Sequence, residues 1–377
     1  MSLVRIALIG VLLLASGSAS AGGPYLSGFP TDNGFFPIGV WLQSPMRAAA
    51  YKAIGINTFV GLYQGPTEDQ LAQLTKYGMF AVAEQNDVGL NSMNRQVIKA
   101  WMHGDEPDNA QPIGFGLYGS CIPASKVVRH TQEMKSRDPT RPVMINFGQG
   151  IANEYWRGRG ACNGDLKYYD YAAQGVDILS FDIYPVGSTT PQVKGKLDYV
   201  ARGVTNLVKR TAGGQTVWAA LETTALDPNR PVTPAEVRSE VWMALIHGAK
   251  GVFYFVHEFV PKFREDALFR RPEVVAEVAK TNQLIKALAP VLNGPNVPRM
   301  LTVKSDVPIA TMVKLHEGTM HIFAVAMENS PSTARFVVDG LGKTQARVIG
   351  EQRSVTITKD EFEDAFDGYG VHVYQIP

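Results

Sequence analysis

The 377-residue chain has only two cysteines, Cys121 and Cys162, and a formal net charge of +1. Two thiols cannot staple a fold of this size, so its stability has to come from an apolar core. There is no excess of either charge sign and no block of like charges. The electrostatic footprint that nucleic acid or an anionic membrane surface requires is therefore missing. Beyond the first twenty residues no apolar run is long enough to cross a bilayer. No glycine-rich dinucleotide fingerprint follows the first strand-like run, and low-complexity tracts are absent. What is present is an ordinary globular composition, with 45% hydrophobic and 19% charged residues. Glycine (36) and proline (23) are plentiful, as suits a chain with many turns.

The amino-terminal stretch reads as an address. Arg5 precedes the apolar run Ile6–Ala15, and Ala19-Ser20-Ala21 offers small residues for cleavage. Residues 1–21 are thus expected to be a signal peptide, which makes the protein secreted or periplasmic and leaves no membrane segment after cleavage.

From about residue 37 to 290, short apolar runs alternate with helical patterns. Eight runs have strand character: Pro37–Leu42, Ile56–Leu62, Met79–Ala83, Ile98–Met102, Val143–Phe147, Ile178–Ile183, Val217–Leu221 and Gly251–Val256. Most are apolar throughout, as strands buried on both faces should be. Between them, Ser44-Pro45 places a cap before a first-turn proline, and Thr67…Gln70 and Thr233…Glu236 have capping-box spacing. Leu197, Val200, Val204 and Leu207 recur at helical intervals, and Gly55 and Gly78 sit where helices stop. Eight strand–helix units predict an α/β fold, a (β/α)8 TIM barrel over residues 22–292. After Pro290 the pattern changes. The linker-like Asn293–Pro298 leads into seven short strand-like runs separated by turns such as Glu317-Gly318 and Asp367-Gly368. A small C-terminal β-sandwich domain is expected over 293–377.

Barrel enzymes work at the C-terminal ends of their strands. The residues closing each expected strand are Trp41 and Gln43, then Tyr63, Glu84, the run His103-Gly104-Asp105-Glu106-Pro107-Asp108, Asn146, Asp182 and Tyr184, Glu222, and finally His257 with Glu258. Carboxylates, amides and aromatic rings collected on one rim are the side chains that bind sugars: rings stack on pyranose faces, while amides and acids meet hydroxyls. Cleaving a glycosidic bond needs two carboxyl groups at one anomeric carbon, one protonated and one ionised. Glu106 and Glu222, at the ends of the fourth and seventh strands, are the pair the sequence offers.

The segment Trp101-Met102-His103-Gly104-Asp105-Glu106-Pro107-Asp108 resembles the fourth-strand motif of clan A of the retaining glycoside hydrolases, the cellulase-like and β-galactosidase-like families. The resemblance spans roughly residues 37–290. It implies that Glu106 is the acid/base, that Glu222 in Leu221-Glu222-Thr223 is the nucleophile, and that Tyr184 hydrogen-bonds that nucleophile. It further implies a retaining enzyme acting on a β-glycoside of an oligo- or polysaccharide, without a cofactor, and a trailing β-domain. This chain departs from the usual motif at Asp105, where the clan has Asn; a second negative charge there favours a proton on Glu106. Trp41, Gln43, Tyr63, Asp105, Asn146, Asp182, Tyr184, His257 and Glu258 are the expected substrate contacts.

Two other readings compete. A metal-dependent barrel hydrolase would draw on His103, Asp105, His247 or His257, but the first strand has no His-x-His and the histidines lack ligand spacing, so no metal is expected. A non-catalytic carbohydrate-binding barrel would need no acid pair. Cys121 and Cys162 fall in the neighbouring loops after strands four and five. A disulfide across the cleft wall is expected there, with two separate buried thiols as the alternative.

Overall fold

The computed structural model describes residues 25–156, 165–226, 230–297 and 301–377. The leader expected over 1–21 and Cys162, one half of the expected disulfide, lie outside them.

Eight parallel strands close into a barrel: β1 Ile38–Trp41, β2 Thr58–Val60, β3 Phe80–Ala83, β4 Ile98–Asp105, β5 Val143–Phe147, β6 Ile178–Asp182, β7 Thr216–Glu222 and β8 Gly251–Phe255. Each pairs with its successor in sequence, and β8 returns to β1 with Ile38 opposite Val252. All eight coincide with the apolar runs read from the sequence. Both faces of each strand are covered, which is why the runs do not alternate. In β7, Val217, Ala219 and Leu221 point outward into the main core, while Trp218 and Ala220 fill the barrel interior with Val82, Met144 and Phe253. Phe29 and Phe35 close the N-terminal end of the barrel, with the Phe29 ring 5.2 Å from Trp218.

The helices are α1 Ala48–Ala53, α2 Glu68–Tyr77, α3 Asp87–Asn91, α4 Ala124–Arg137, α5 Leu166–Ala172, α6 Asp198–Val208, α7 Pro234–Ile246, α8 Pro272–Ala287 and α9 Ala289–Asn293. Thr67 and Thr233 each complete a reciprocal capping box, with Gln70 and Glu236. Gly78 ends α2 in the left-handed region, at φ 59°. No helix among the described residues is long and apolar enough to cross a membrane.

Eight further strands follow: β9 Leu301–Lys304, β10 Ile309–His316, β11 Thr319–Ala326, β12 Ser332–Val338, β13 Thr344–Val348, β14 Arg353–Ile357, β15 Glu361–Phe366 and β16 Val371–Ile376. They form a three-stranded sheet, β9-β12-β15, and a five-stranded sheet, β10-β11-β16-β13-β14. The two sheets enclose their own core, in which Phe336 stacks on Phe362 at 4.7 Å beside Ile322 and Tyr374. The sequence reading missed β15, because its acids Glu361, Glu363 and Asp364 hide two apolar positions, Phe362 and Phe366. The reverse face of the larger sheet packs on α7, where Phe323 stacks on Trp242 at 5.5 Å. Nearly every residue of α7 is buried between barrel and sandwich.

Candidate active site

The strand ends carry the inward-facing register up to the rim. On β5 and β6, Met144 and Ile178 point inward, so Asn146, Ser180 and Asp182 do too. Ser180 donates to Asn146 Oδ1 at 2.8 Å, which turns the amide NH2 towards the acids. Asn146 Nδ2 then lies 2.9 Å from Asp105 Oδ1 and 3.4 Å from Asp182 Oδ1. One amide therefore reaches carboxylates on β4 and β6. Tyr184 donates to Asp182. Burial, with the charges of Glu106 and Asp105 beside it, holds the proton on Asp182 well above the usual carboxylate range. Asp105 is exposed at the mouth and Glu106 half-buried.

Glu106 sits at φ 43°, a left-handed conformation that is strained for a residue with a Cβ. Two neighbours hold it there. Its amide donates to Asn146 O at 2.9 Å, and Asn109 Nδ2 donates to its Oε2 at 3.2 Å. Gly148 faces it closely, and a Cβ on Gly148 would lie 3.0 Å from Glu106 Oε1. The loop is clamped from below by Asp108, which is buried and accepts from Gly148 N (2.8 Å) and from the Tyr169 hydroxyl (2.7 Å). Burial pushes Asp108 up to about 6, against these two donors.

Glu222 closes β7 where the sequence placed it, yet it is 0% exposed. Its carboxylate accepts from Val186 N at 2.6 Å and from Gly187 N at 3.0 Å. Glu240 of α7 lies against it and has no other side-chain partner. Two carboxyl groups in that position can bond only by sharing a proton, and burial raises both well above the ordinary range. Tyr184 bonds Asp182, whereas the clan resemblance led one to expect it on Glu222. Asp182 and Tyr184 are two residues apart on one face, whereas the Glu222 carboxylate, although it follows Trp218 and Ala220 in the inward register, is taken up by the Val186 and Gly187 amides and by Glu240.

The remaining expected contacts divide. Trp41 points into the barrel, 5.8 Å from Phe253. Gln43 and His257 are both buried and bond each other at 2.9 Å. Gln43 also accepts from Tyr51 and donates to Glu265 O, so the pair locks the loops after β1 and β8 together. Tyr63 is exposed on the rim. Glu258 bridges to Arg264 at the base of the loop after β8. His103 points outward against α4, 3.2 Å from His130, and burial together with that neighbour pushes it down to about 4. No group of three or more His, Cys, Asp or Glu among the described residues is arranged to hold a metal ion. Three residues that matter here escaped the sequence reading. Tyr169 carried no signal, whereas Glu240 stood as a lone acid inside the apolar run of α7 and Phe255 ended an inward-facing strand.

No protein-family description and no curated relative matches the chain. Solved structures match it in fold. A GH42 β-galactosidase from G. stearothermophilus is 9% identical, with 94% of this chain and 99% of that one covered at a TM-score of 0.57. An α-amylase from Geobacillus thermoleovorans, solved with acarbose, is 10% identical over 92% and 98% at 0.55. α-Galactosidase I from Mortierella vinacea is 9% identical over 91% and 97% at 0.55. The chain thus shares the (β/α)8 barrel fold of these α- and β-acting carbohydrate enzymes.

Proposed function

We propose that the protein is a glycoside hydrolase in which Asp182 holds the proton for the leaving group and Asp105 is the ionised partner. The observation that carries this is Asn146 Nδ2 within reach of both carboxylates at the barrel mouth. A single NH2 group serving both acids favours the short separation, about 5–5.5 Å, of a double-displacement enzyme over the longer one that admits a water between them. The proton on Asp182, kept there by burial and by Glu106 and Asp105, suits a general acid. Asp105, open to the mouth, would attack the anomeric carbon, and Asp182 would then activate water to release the sugar. Glu106, the acid/base expected from sequence, becomes the charge that tunes Asp182. Glu222, the expected nucleophile, is enclosed between β7 and α7 and supports the wall. Export and a carbohydrate substrate belong to the same proposal.

The test is a panel of α- and β-aryl glycosides and polysaccharides assayed with the wild type and with Asp182→Asn, Asp105→Asn and Glu222→Gln. Asp182→Asn and Asp105→Asn should each lose about 10²–10⁴-fold in kcat. Glu222→Gln should keep most of the activity, and azide should rescue Asp105→Ala with inversion at the anomeric carbon. A dead Glu222→Gln that folds normally, beside an active Asp182→Asn, would return the chemistry to the pair first read from sequence. Binding of sugars without turnover would make this a lectin-like barrel.

A further inference from the structure

Phe255, the last residue of β8, brings its ring to 4.9 Å from Tyr184, whose hydroxyl rests on Asp182. From Phe255 the rings continue to Phe259 at 6.1 Å and on to Phe263, 5.7 Å further. Glu258 and Arg264 bond each other's backbone at 3.0 and 2.8 Å, so the loop that carries the two phenylalanines is closed at its base. Phe259 is nonetheless 54% exposed and Phe263 60% exposed. The result is an unbroken row of rings from the proton-holding acid out to solvent. Between 259 and 263 only Lys262 is charged.

The other side of the mouth has the same character. β4 lies four strands from β8 in the ring of eight, and the loop after it carries a hairpin, Pro112–Gly114 with Leu117–Tyr118. Gln111, at its base, donates to Glu106 O at 2.9 Å, so the hairpin is tied to the acid cluster. Ile113, Phe115, Leu117 and Tyr118 are exposed on it, and no residue from 109 to 125 is charged.

Subsites for further sugar units would set amides, acids or hydroxyls beside the stacking rings to meet sugar hydroxyls. Phenylalanine brings no hydrogen-bonding group, and aliphatic side chains offer no flat face. Exposed apolar surface of this kind matches hydrocarbon. An acidic, hydrogen-bonding centre between apolar arms is complementary to an amphiphile. We propose that the substrate is a glycoside with a hydrocarbon aglycone. Its sugar occupies the mouth at Asp105, Asn146 and Asp182, and its alkyl chain lies along Tyr184, Phe255, Phe259 and Phe263. This rests on the glycoside hydrolase reading of the mouth.

The test uses the full chain with methyl, butyl and octyl glucosides and galactosides of both anomers, each below its micelle concentration. On the cleaved sugar, kcat/KM should rise about fourfold per methylene along the series, as burial of CH2 groups requires. The double variant Phe259→Ser/Phe263→Ser should flatten that slope. A flat series, or faster cleavage of an oligosaccharide than of the octyl glycoside, would overturn the proposal. If nothing is cleaved, the hydrolase reading fails and the apolar row is read separately by calorimetry with n-octanol and the octyl glycosides. Binding lost in the double variant supports the row as a hydrocarbon site, and no binding overturns it. A concentration-dependent dimer that the double variant abolishes would give the row to a second copy of the chain, which also overturns the proposal.

Discussion

Asp182 and Glu240 are two buried acids with raised pKa values, and different neighbours set their consequences. At Asp182 the raised value means that the protonated, donor form persists to higher pH, and if Asp182 is the proposed general acid, activity should fall as pH rises through it. Glu106 contributes part of that shift by its negative charge. Glu106→Gln should therefore move the basic limb of kcat/KM to lower pH, and a pH profile of the variant beside the wild type checks it. Glu240 instead shares its proton with Glu222, away from the mouth. Both folded-state pKa values lie above the unfolded carboxylate value of about 4.3, so the pair's contribution is intact below that pH and is lost as pH rises through the raised values. Glu240→Gln cannot ionise. It should be about 1–2 kcal/mol more stable than the wild type at pH 8 and little different near pH 4, by urea unfolding at the two pH values. The rim positions of Asp105, Glu106, Asn146 and Asp182 are legible in the sequence, because a residue's place at a strand end follows from counting. Which acid faces which was not legible, since the Asn146 bridge and the turn of Glu222 towards α7 depend on side-chain partners from distant elements.

Among the elements, the barrel strands and the capped helices were the most legible. Continuous apolar runs and the Thr67 and Thr233 capping boxes are local signals with local causes. The strand β15 was not, because its acids are paired from outside: Arg353 holds Asp364 through two bonds of 2.9 and 2.8 Å, and Arg335 holds Glu361. Packing between elements is tightest where α6 crosses β6. A Cβ added to Gly203 would lie 2.1 Å from the Phe181 ring, which is rigid and fully buried. Gly203→Ala should cost at least about 1–3 kcal/mol despite the better helix propensity of alanine, as thermal or urea unfolding would record.

For the whole molecule, the change from alternating units to short strands after Pro290 announced a second layer of structure, but nothing in the sequence said which helix it would cover. That helix is α7, whose sequence is apolar around most of its circumference because it faces the barrel on one side and the sandwich on the other. Trp242 stacked on Phe323 lies at the centre of this contact. Trp242→Ala should lower stability by about 3–5 kcal/mol, and limited proteolysis should then release the sandwich before the barrel unfolds.

The strand order of the larger sheet has a consequence for how the molecule is made. β16, Val371–Ile376, is an inner strand between β11 and β13, and with β11 it lies on the side that covers α7. During synthesis the barrel strands and α7 emerge first, then β11 with the Phe323 that stacks on Trp242, and the sheet over α7 is complete only once β16 has been made. Until then the sheet that covers α7 lacks an inner strand. A chain cut before Val371 would leave β11 and β13 each without the neighbour that β16 supplies.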